Sequence, residues 1–395
     1  MAKKPHTTIT HPHYACSIGA AYTVSAIPGA VPVINCGPGC VDQQYFTMSF
    51  CNGFQGSVGA GGGDIPGTNS GENEIVFGGA KKLDGVIKSA LKIMKGDLFV
   101  VLSGCSPQLV GDDVASVIKP YREKGYPIVH AEVPGFKGNN LWGHEEVVIA
   151  VIDQFVGEYK GRRRKKLINL WMGAPYFNTF WRGDTIEIKR ILEGAGFEVN
   201  VLFGSESAGV SEWKDIPKAA FNLVLSPWLG LRTAKHLEKK YGQPYLHIPV
   251  LPIGEEATTA FIRQVVEFAG IDNTKAEKFI EKEAKRYYYF FDHFADFFAE
   301  YWFGFPSQFA IVGDAAYNIA ITKFLSDQIG LIPVGQIISD NTPVKYREDV
   351  ADELGAILVE VGTIATEEVV LNRTYLGYNG ALSLLEKIYS KAVGG

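Results

Sequence analysis

Asp97-Leu-Phe-Val-Val-Leu-Ser-Gly-Cys105 decides the fold. Leu98–Leu102 is an unbroken apolar run, closed by small and turn-forming residues, and it reads as a short buried strand. After it come Ser106-Pro107 and Gly111-Asp112-Asp113, then a helical pattern over Asp113–Glu123. The same strand–turn–helix unit recurs in both directions along the chain. Further strand-like runs are Val31–Asn35, Pro127–Glu132, Leu167–Met172, Glu198–Phe203, Leu223–Ser226, Gln308–Val312 and Leu331–Ile338. Helical patterns lie between them at Gly79–Met94, Gly143–Tyr159, Asp184–Ala195, Gly230–Tyr241, Glu256–Ala269, Thr274–Tyr301 and Ala315–Gln328. Such alternation predicts an α/β protein of parallel sheets flanked by helices. Three Rossmann-like domains are expected: 1–160, 161–272, and 273–395, the last opening with a long aromatic helix.

A chain of 395 residues is long enough for two or three domains. With 38 Lys+Arg against 43 Asp+Glu the net charge is −5, which argues against a nucleic-acid binder. The basic run Arg162–Lys166 reads as a solvated linker. No stretch of 18 uninterrupted apolar residues exists, and Met1-Ala-Lys-Lys-Pro-His lacks the apolar core of a signal peptide. A soluble, cytoplasmic protein without membrane association is expected.

The cysteines carry the chemical signal. Cys16, Cys36, Cys40, Cys51 and Cys105 all fall in the first 105 residues. An odd number in a chain without a secretion signal argues against a disulfide framework. Cys51 reads as a structural thiol. Cys16 precedes an apolar helical run, Cys40 ends the turn Asn35-Cys-Gly-Pro-Gly-Cys40, and Cys105 ends the strand quoted above. Thiolates at element tips beside glycine suit an iron–sulfur cluster. Zinc would call for two tight Cys pairs, and Cys36 with Cys40 is one loose pair. Three thiols are too few to close a four-iron cluster, so a second chain is expected to complete the site.

Two other features weigh less. Gly59–Gly63 opens a glycine-rich loop without the Gly-Lys-Ser/Thr ending of a phosphate cradle, so ATP binding by this chain is not expected. Lys285–Phe303 holds eleven aromatic residues on all sides of a helix, and reads as buried between domains or subunits.

Taken in order, the motifs resemble those of nitrogenase component 1 and nitrogenase-like reductases. The resemblance rests on the cysteine spacing (24, then 65 residues), Glu74-Ile-Val-Phe-Gly-Gly, Val110-Gly-Asp-Asp after Cys105, and Gly135-Phe-Lys-Gly. It continues through Pro227-Trp-Leu-Gly and Phe309-Ala-Ile-Val-Gly-Asp to Asn372-Arg-Thr-Tyr-Leu-Gly-Tyr-Asn-Gly-Ala. It implies three stacked α/β domains, an α2β2 heterotetramer with a homologous α-type subunit, and an ATP-dependent iron–sulfur reductase as electron donor. It also implies an eight-iron P-cluster-like group shared between subunits, with Cys16, Cys40 and Cys105 as this chain's ligands. Cys36 departs from the small residue or His usual at that turn; of a spare ligand and a bystander, bystander is the favoured reading.

The α-type chain of the family holds its catalytic iron–sulfur cofactor through a Cys in its second half and a late His. This sequence has no Cys after Cys105 and no His after His293, so it resembles the β-type partner. No catalytic residue is expected in this chain; the catalytic cofactor belongs to the partner. Few residues, Leu358–Val370, separate Ile357 from Asn372, so about one βαβ unit of the third domain is expected to be missing. The short chain and the Thr68-Asn-Ser-Gly-Glu-Asn-Glu loop resemble nitrogenase-like proteins such as methylthio-alkane reductase, which cleaves C–S bonds of small thioethers. Dinitrogen reduction comes second and tetrapyrrole reduction third. A non-enzymatic scaffold for metallocluster assembly is the alternative from a different class.

Overall fold

The computed structural model describes residues 15–51, 65–300, 308–354, 359–360 and 375–393. Its first sheet runs β1 (Ala30–Asn35), β2 (Leu98–Ser103) and β3 (Ile128–Glu132), adjacent in that order and all parallel. Every residue of β1 and β2 is buried, which explains the unbroken apolar runs: both faces of these strands are covered. Around the sheet lie α1 (Ala20–Ser25), α2 (Pro38–Cys51), α3 (Glu72–Phe77), α4 (Ala80–Ile93), α5 (Cys105–Val110), α6 (Val114–Glu123) and α7 (Asn140–Val151). Val31, Val33, Phe99 and Val101 pack on Leu83 and Ile87 of α4 and on Val114 and Ile118 of α6. Ile34, Val100 and Leu102 face the other way, into a core with Ile18, Val24 and Val147 that continues to Trp171 of the next sheet and Trp213 of the helix Val210–Trp213 beside it.

The second sheet is β4 (Arg164–Trp171), β5 (Glu198–Asn200), β6 (Ala219–Leu225) and β7 (Tyr245–Ile248), parallel in the order β5-β4-β6-β7. Its helices are α8 (Trp181–Ala195), α9 (Val210–Trp213), α10 (Leu231–Tyr241) and α11 (Gly254–Ala269). A buried amide ladder crosses the sheet: Asn200 donates to Asn169 (2.7 Å), Asn169 to Asn222 (2.9 Å) and Asn222 to Gln243 (3.0 Å). Each amide finds a partner, as burial requires. The third sheet, in the order β10-β9-β8, comprises β8 (Gln308–Gly313), β9 (Ile332–Ile338) and β10 (Val359–Glu360), again parallel. It is accompanied by α12 (Thr274–Glu300), α13 (Ala315–Lys323), α14 (Val344–Leu354) and α15 (Gly377–Val393). Ile191 and Phe261 of the second unit share one core with Tyr317, Phe324 and Leu376 of the third.

Several expectations need correction. The edge strand β7 is absent from the sequence reading, because four residues, three of them half-exposed, give neither alternation nor an apolar run. Cys40 lies inside the helix α2, which the Gly-Pro-Gly turn signal masked. The run Arg162–Lys166 is not wholly a linker, since Arg164, Lys165 and Lys166 form the exposed beginning of β4. The aromatic helix is not enclosed on all sides: Tyr287 is buried, but Tyr289 is 75% and Phe290 51% exposed. One stripe of α12 packs on α8, α11 and α15, while Tyr288, Tyr289 and Phe290 are exposed on this chain. The Gly59–Gly63 run, the junction at Leu358 and 361–370, and Tyr301, Trp302 and Phe303 lie outside the described residues. No helix among the described residues is long and apolar enough to cross a membrane.

Candidate functional site

The three cysteines singled out by position come from three separate segments and meet at one end of the first sheet. Cys16 precedes a short turn of 3-10 helix, Ser17–Gly19, and is exposed. Its segment is pinned to the start of α7: Ala15 N–H donates to Asn140 Oδ1 (2.7 Å), and Asn140 N–H to Ala15 O (2.9 Å). Cys40 is the third residue of α2 and is half-buried. Cys105, also half-buried, is the first residue of α5, immediately beyond β2. Each thiol therefore stands at the beginning of a helical segment, where the first backbone N–H groups have no partner within the helix.

Glycine makes the convergence possible. Gly135 N–H donates to Cys105 Sγ at 3.1 Å. A Cβ on Gly135 would come within 2.6 Å of Cys16 Sγ and 3.6 Å of Cys105 Sγ. This glycine thus lies between the two sulfurs and leaves a cradle that any side chain would fill. Among the described residues no three His, Cys, Asp or Glu side chains converge as a single ion would require. Sulfurs spread around a glycine cradle suit instead a multi-iron group, whose ligands bind separate irons.

Cys36, expected to be a bystander, is in the same place. It ends β1 just beyond Asn35 and is 2% exposed. Its thiol is held well below the usual range, first by a hydrogen bond with Cys40 and then by backbone N–H groups of Ser106, Gly37 and Cys105, against the opposing effect of burial. The same contact, with burial, pushes the Cys40 thiol up. Thr68, buried at 1%, secures this turn: its Oγ1 lies 3.1 Å from Cys36 N, Cys36 O and Asn35 Oδ1. The turn was legible from its glycines; the role of Thr68, 32 residues away, was not.

Around the thiols the surface is apolar. Ile75, Val76 and Phe77 of α3, Leu109 of α5 and Phe136 are exposed, Phe77 at 84% and Leu109 at 75%. α3 packs on α5, so this patch is continuous with the Cys105 segment. The Gly-Asp-Asp sequence supports it structurally. Asp112 accepts from Gly79 N–H through both oxygens (2.9 and 3.1 Å), and Asp113 caps α6 through Ser116 N–H (3.0 Å). Asp314, at the end of β8, caps α13 through Tyr317 N–H (2.9 Å).

Two buried titratable groups on α7 face the middle unit. His144 accepts from or donates to Thr23 Oγ1 at 2.9 Å and is lowered to about 4 by burial. Glu145 accepts from Gly230 N–H at 3.2 Å and is raised to about 7 by burial, despite nearby Arg232.

Comparison with known proteins bears on the family and the fold. The family model described as nitrogenase component 1 type oxidoreductase matches residues 15–356. The nitrogenase molybdenum-iron protein beta chain of Methanococcus maripaludis is 24% identical over 464 aligned positions, covering 98% of this chain and 95% of that one. A light-independent protochlorophyllide reductase chain of Angiopteris evecta is 27% identical over 258 positions, covering 61% of this chain and 48% of that one. Among solved structures, one titled nitrogenase Cp1 at pH 6.5 superposes with a TM-score of 0.73 at 19% identity, covering 100% of this chain and 95% of that one.

Proposed function

Because the chain belongs to the nitrogenase component 1 type oxidoreductase family, we propose that it is the β-type, electron-relaying subunit of a nitrogenase-like reductase. The observation that carries this reading is the placing of Cys16 and Cys105 on either side of Gly135, with Cys40 against Cys36 beside Gly104, next to an apolar face. Three thiols at a surface hold one side of a cluster, and a partner surface closes the other. The exposed Ile75, Val76, Phe77, Leu109 and Phe136 give such a partner its apolar contact. We propose a homologous α-type subunit for that place, in an α2β2 heterotetramer, with the borders of this chain's three domains near 160 and 272.

The group held there is a P-cluster-like, eight-iron iron–sulfur cluster, and when bound it supplies one-electron steps at low potential. This chain's residues do the rest. Cys16, Cys40 and Cys105 bind iron, and the Gly135 N–H hydrogen bond to Cys105 Sγ stabilises negative charge on that sulfur. The apolar rim, once covered, excludes water and lowers the local dielectric. A separate ATP-dependent iron–sulfur reductase supplies electrons, docking near Cys40 and the Gly111-Asp112-Asp113 turn. The catalytic iron–sulfur cofactor lies in the α-type partner.

For the substrate, a small thioether cleaved at its C–S bond is proposed first, on the sequence of the Asn35–Cys40 turn and the Thr68 loop. Dinitrogen is the second reading, favoured by the match along nearly the whole chain to a molybdenum-iron beta chain. The test is anaerobic: the purified complex with its reductase, ATP and dithionite is offered a volatile methyl thioether or dinitrogen. Methanethiol with a small hydrocarbon is the expected product, and ammonia alone selects the second reading. Neither product from a metal-loaded complex turns the assignment to a scaffold for metallocluster assembly.

A further inference from the structure

The turn that delivers Cys40 holds a sulfur that the proposed function leaves unused. Cys36 is held in place from two sides. Its N–H donates to Thr68 Oγ1 (3.1 Å), and its carbonyl accepts from Ser70 N–H (2.9 Å). On the other side, a Cβ at Gly104 would come within 2.5 Å of Cys36 Sγ, so the residue before Cys105 leaves just enough room for that sulfur. Backbone N–H groups of Gly37, Cys105 and Ser106 reach the Cys36 sulfur, and the Cys40 thiol touches it. The sulfur of Cys36 therefore sits between the turn carrying Cys40 and the helix start carrying Cys105. Converging amide N–H groups form the kind of nest that receives an anion or an iron–sulfur sulfur.

We propose that Cys36 is a fourth iron ligand of this chain, so that Cys16, Cys36, Cys40 and Cys105 form a complete four-thiol set for a four-iron cluster. The inference rests on the proposed function and deepens it: with four thiols, this chain loads iron and sulfide before it meets its partner. Each ligation forms one Fe–S bond and releases one thiol proton to solvent, and the ligation step itself moves no electron. Ferrous and ferric iron in equal amounts, with sulfide, are the reactants, so the cluster receives its two ferric irons ready-made and can then take one electron from dithionite. Loading separates the Cys36 and Cys40 sulfurs.

The test uses the full chain purified alone without oxygen, treated with equal amounts of ferrous and ferric iron, sulfide and dithiothreitol, then desalted. Wild type is expected to retain about four irons and as many sulfides per chain. Cys36→Ala should lose roughly half or more of that iron. Cys36→Ser, which keeps the size of the side chain and its backbone hydrogen bonds, should melt like wild type but give a shifted EPR spectrum after reduction by dithionite. If Cys36→Ala does not fold, the serine variant decides. Iron, sulfide and EPR equal to wild type in the variants would overturn the proposal. So would a wild-type chain that takes up no iron alone while the two-subunit complex carries it, a result that leaves the proposed function standing. Iron in neither preparation overturns both.

Discussion

The backbone N–H of Gly135 donates to the sulfur of Cys105 at 3.1 Å, although the two residues lie 30 positions apart. The pair joins the turn after β3 to the helix start after β2, and it places Gly135 against Cys16 as well. A methyl group there collides with the Cys16 sulfur, at 2.6 Å, and comes into contact with that of Cys105, at 3.6 Å. Gly135→Ala is expected to fold, at a cost of about 1–3 kcal/mol from overpacking. It should also lower the iron retained by the complex. Chemical denaturation and iron analysis measure the two effects separately, and unchanged iron would show that the cradle is not where the metal sits.

The apolar rim makes a second prediction. Phe77 is 84% exposed on this chain, so Phe77→Asp removes little from its own core. Its melting temperature should stay within about 2 °C of wild type, as for other surface changes. Association with the α-type subunit should weaken at least tenfold, because a charge would be buried in an apolar contact. Analytical ultracentrifugation of the mixed subunits reads this out. An unaltered dissociation constant would move the interface elsewhere.

Glu145 gives a pH prediction. Its folded-state value is raised to about 7 from an ordinary 4.5, so between those values the folded chain binds a proton that the unfolded chain has released. Stability attributable to this group is therefore highest below about 4.5 and is lost as pH rises through 7. Glu145→Gln keeps an acceptor for Gly230 N–H and removes the titration. The variant should gain on wild type by about 1–3 kcal/mol between pH 5 and pH 8. His144 acts in the opposite direction in both proteins, since its lowered value makes acid destabilising, and it cancels in the difference. Urea titrations at the two pH values would refute the assignment if the gap between the proteins did not change.

Leu102 tests the packing that fixes the site. It is fully buried in β2, three residues before Cys105, in the core shared with α1, α7 and the middle sheet. Leu102→Ala should cost about 2–5 kcal/mol. Measured by denaturant unfolding, a cost below about 1 kcal/mol would mean that this core is not close-packed.

Much of this was legible in the sequence for a physical reason. Buried parallel strands must be apolar on both faces, so β1 and β2 announce themselves as unbroken runs, and glycine marks the strand ends where sulfurs crowd together. β7 escaped because a four-residue edge strand with three half-exposed residues has no such signature. Cys40 was placed at a turn because Gly-Pro-Gly suggests one, whereas Pro38 stands in the first turn of α2, where its missing N–H costs nothing. The exposed rings of α12 could not be told from buried ones by composition, since aromatic residues encircle the helix either way. The position of Cys36 depends on Thr68 and Gly104, two contacts made across the fold, which spacing along the chain does not encode.

The central claim is that Cys16, Cys40 and Cys105 hold an iron–sulfur cluster at the face this chain turns to its partner. Iron analysis of the anaerobically purified two-subunit complex, combined with EPR of its reduced and oxidised states, tests it most directly. Cys16→Ala, Cys40→Ala and Cys105→Ala should each lower the iron of the complex and alter the interface cluster's EPR signal, with the folded chain retained as judged by circular dichroism. Iron content and EPR equal to wild type in all three variants would contradict the account.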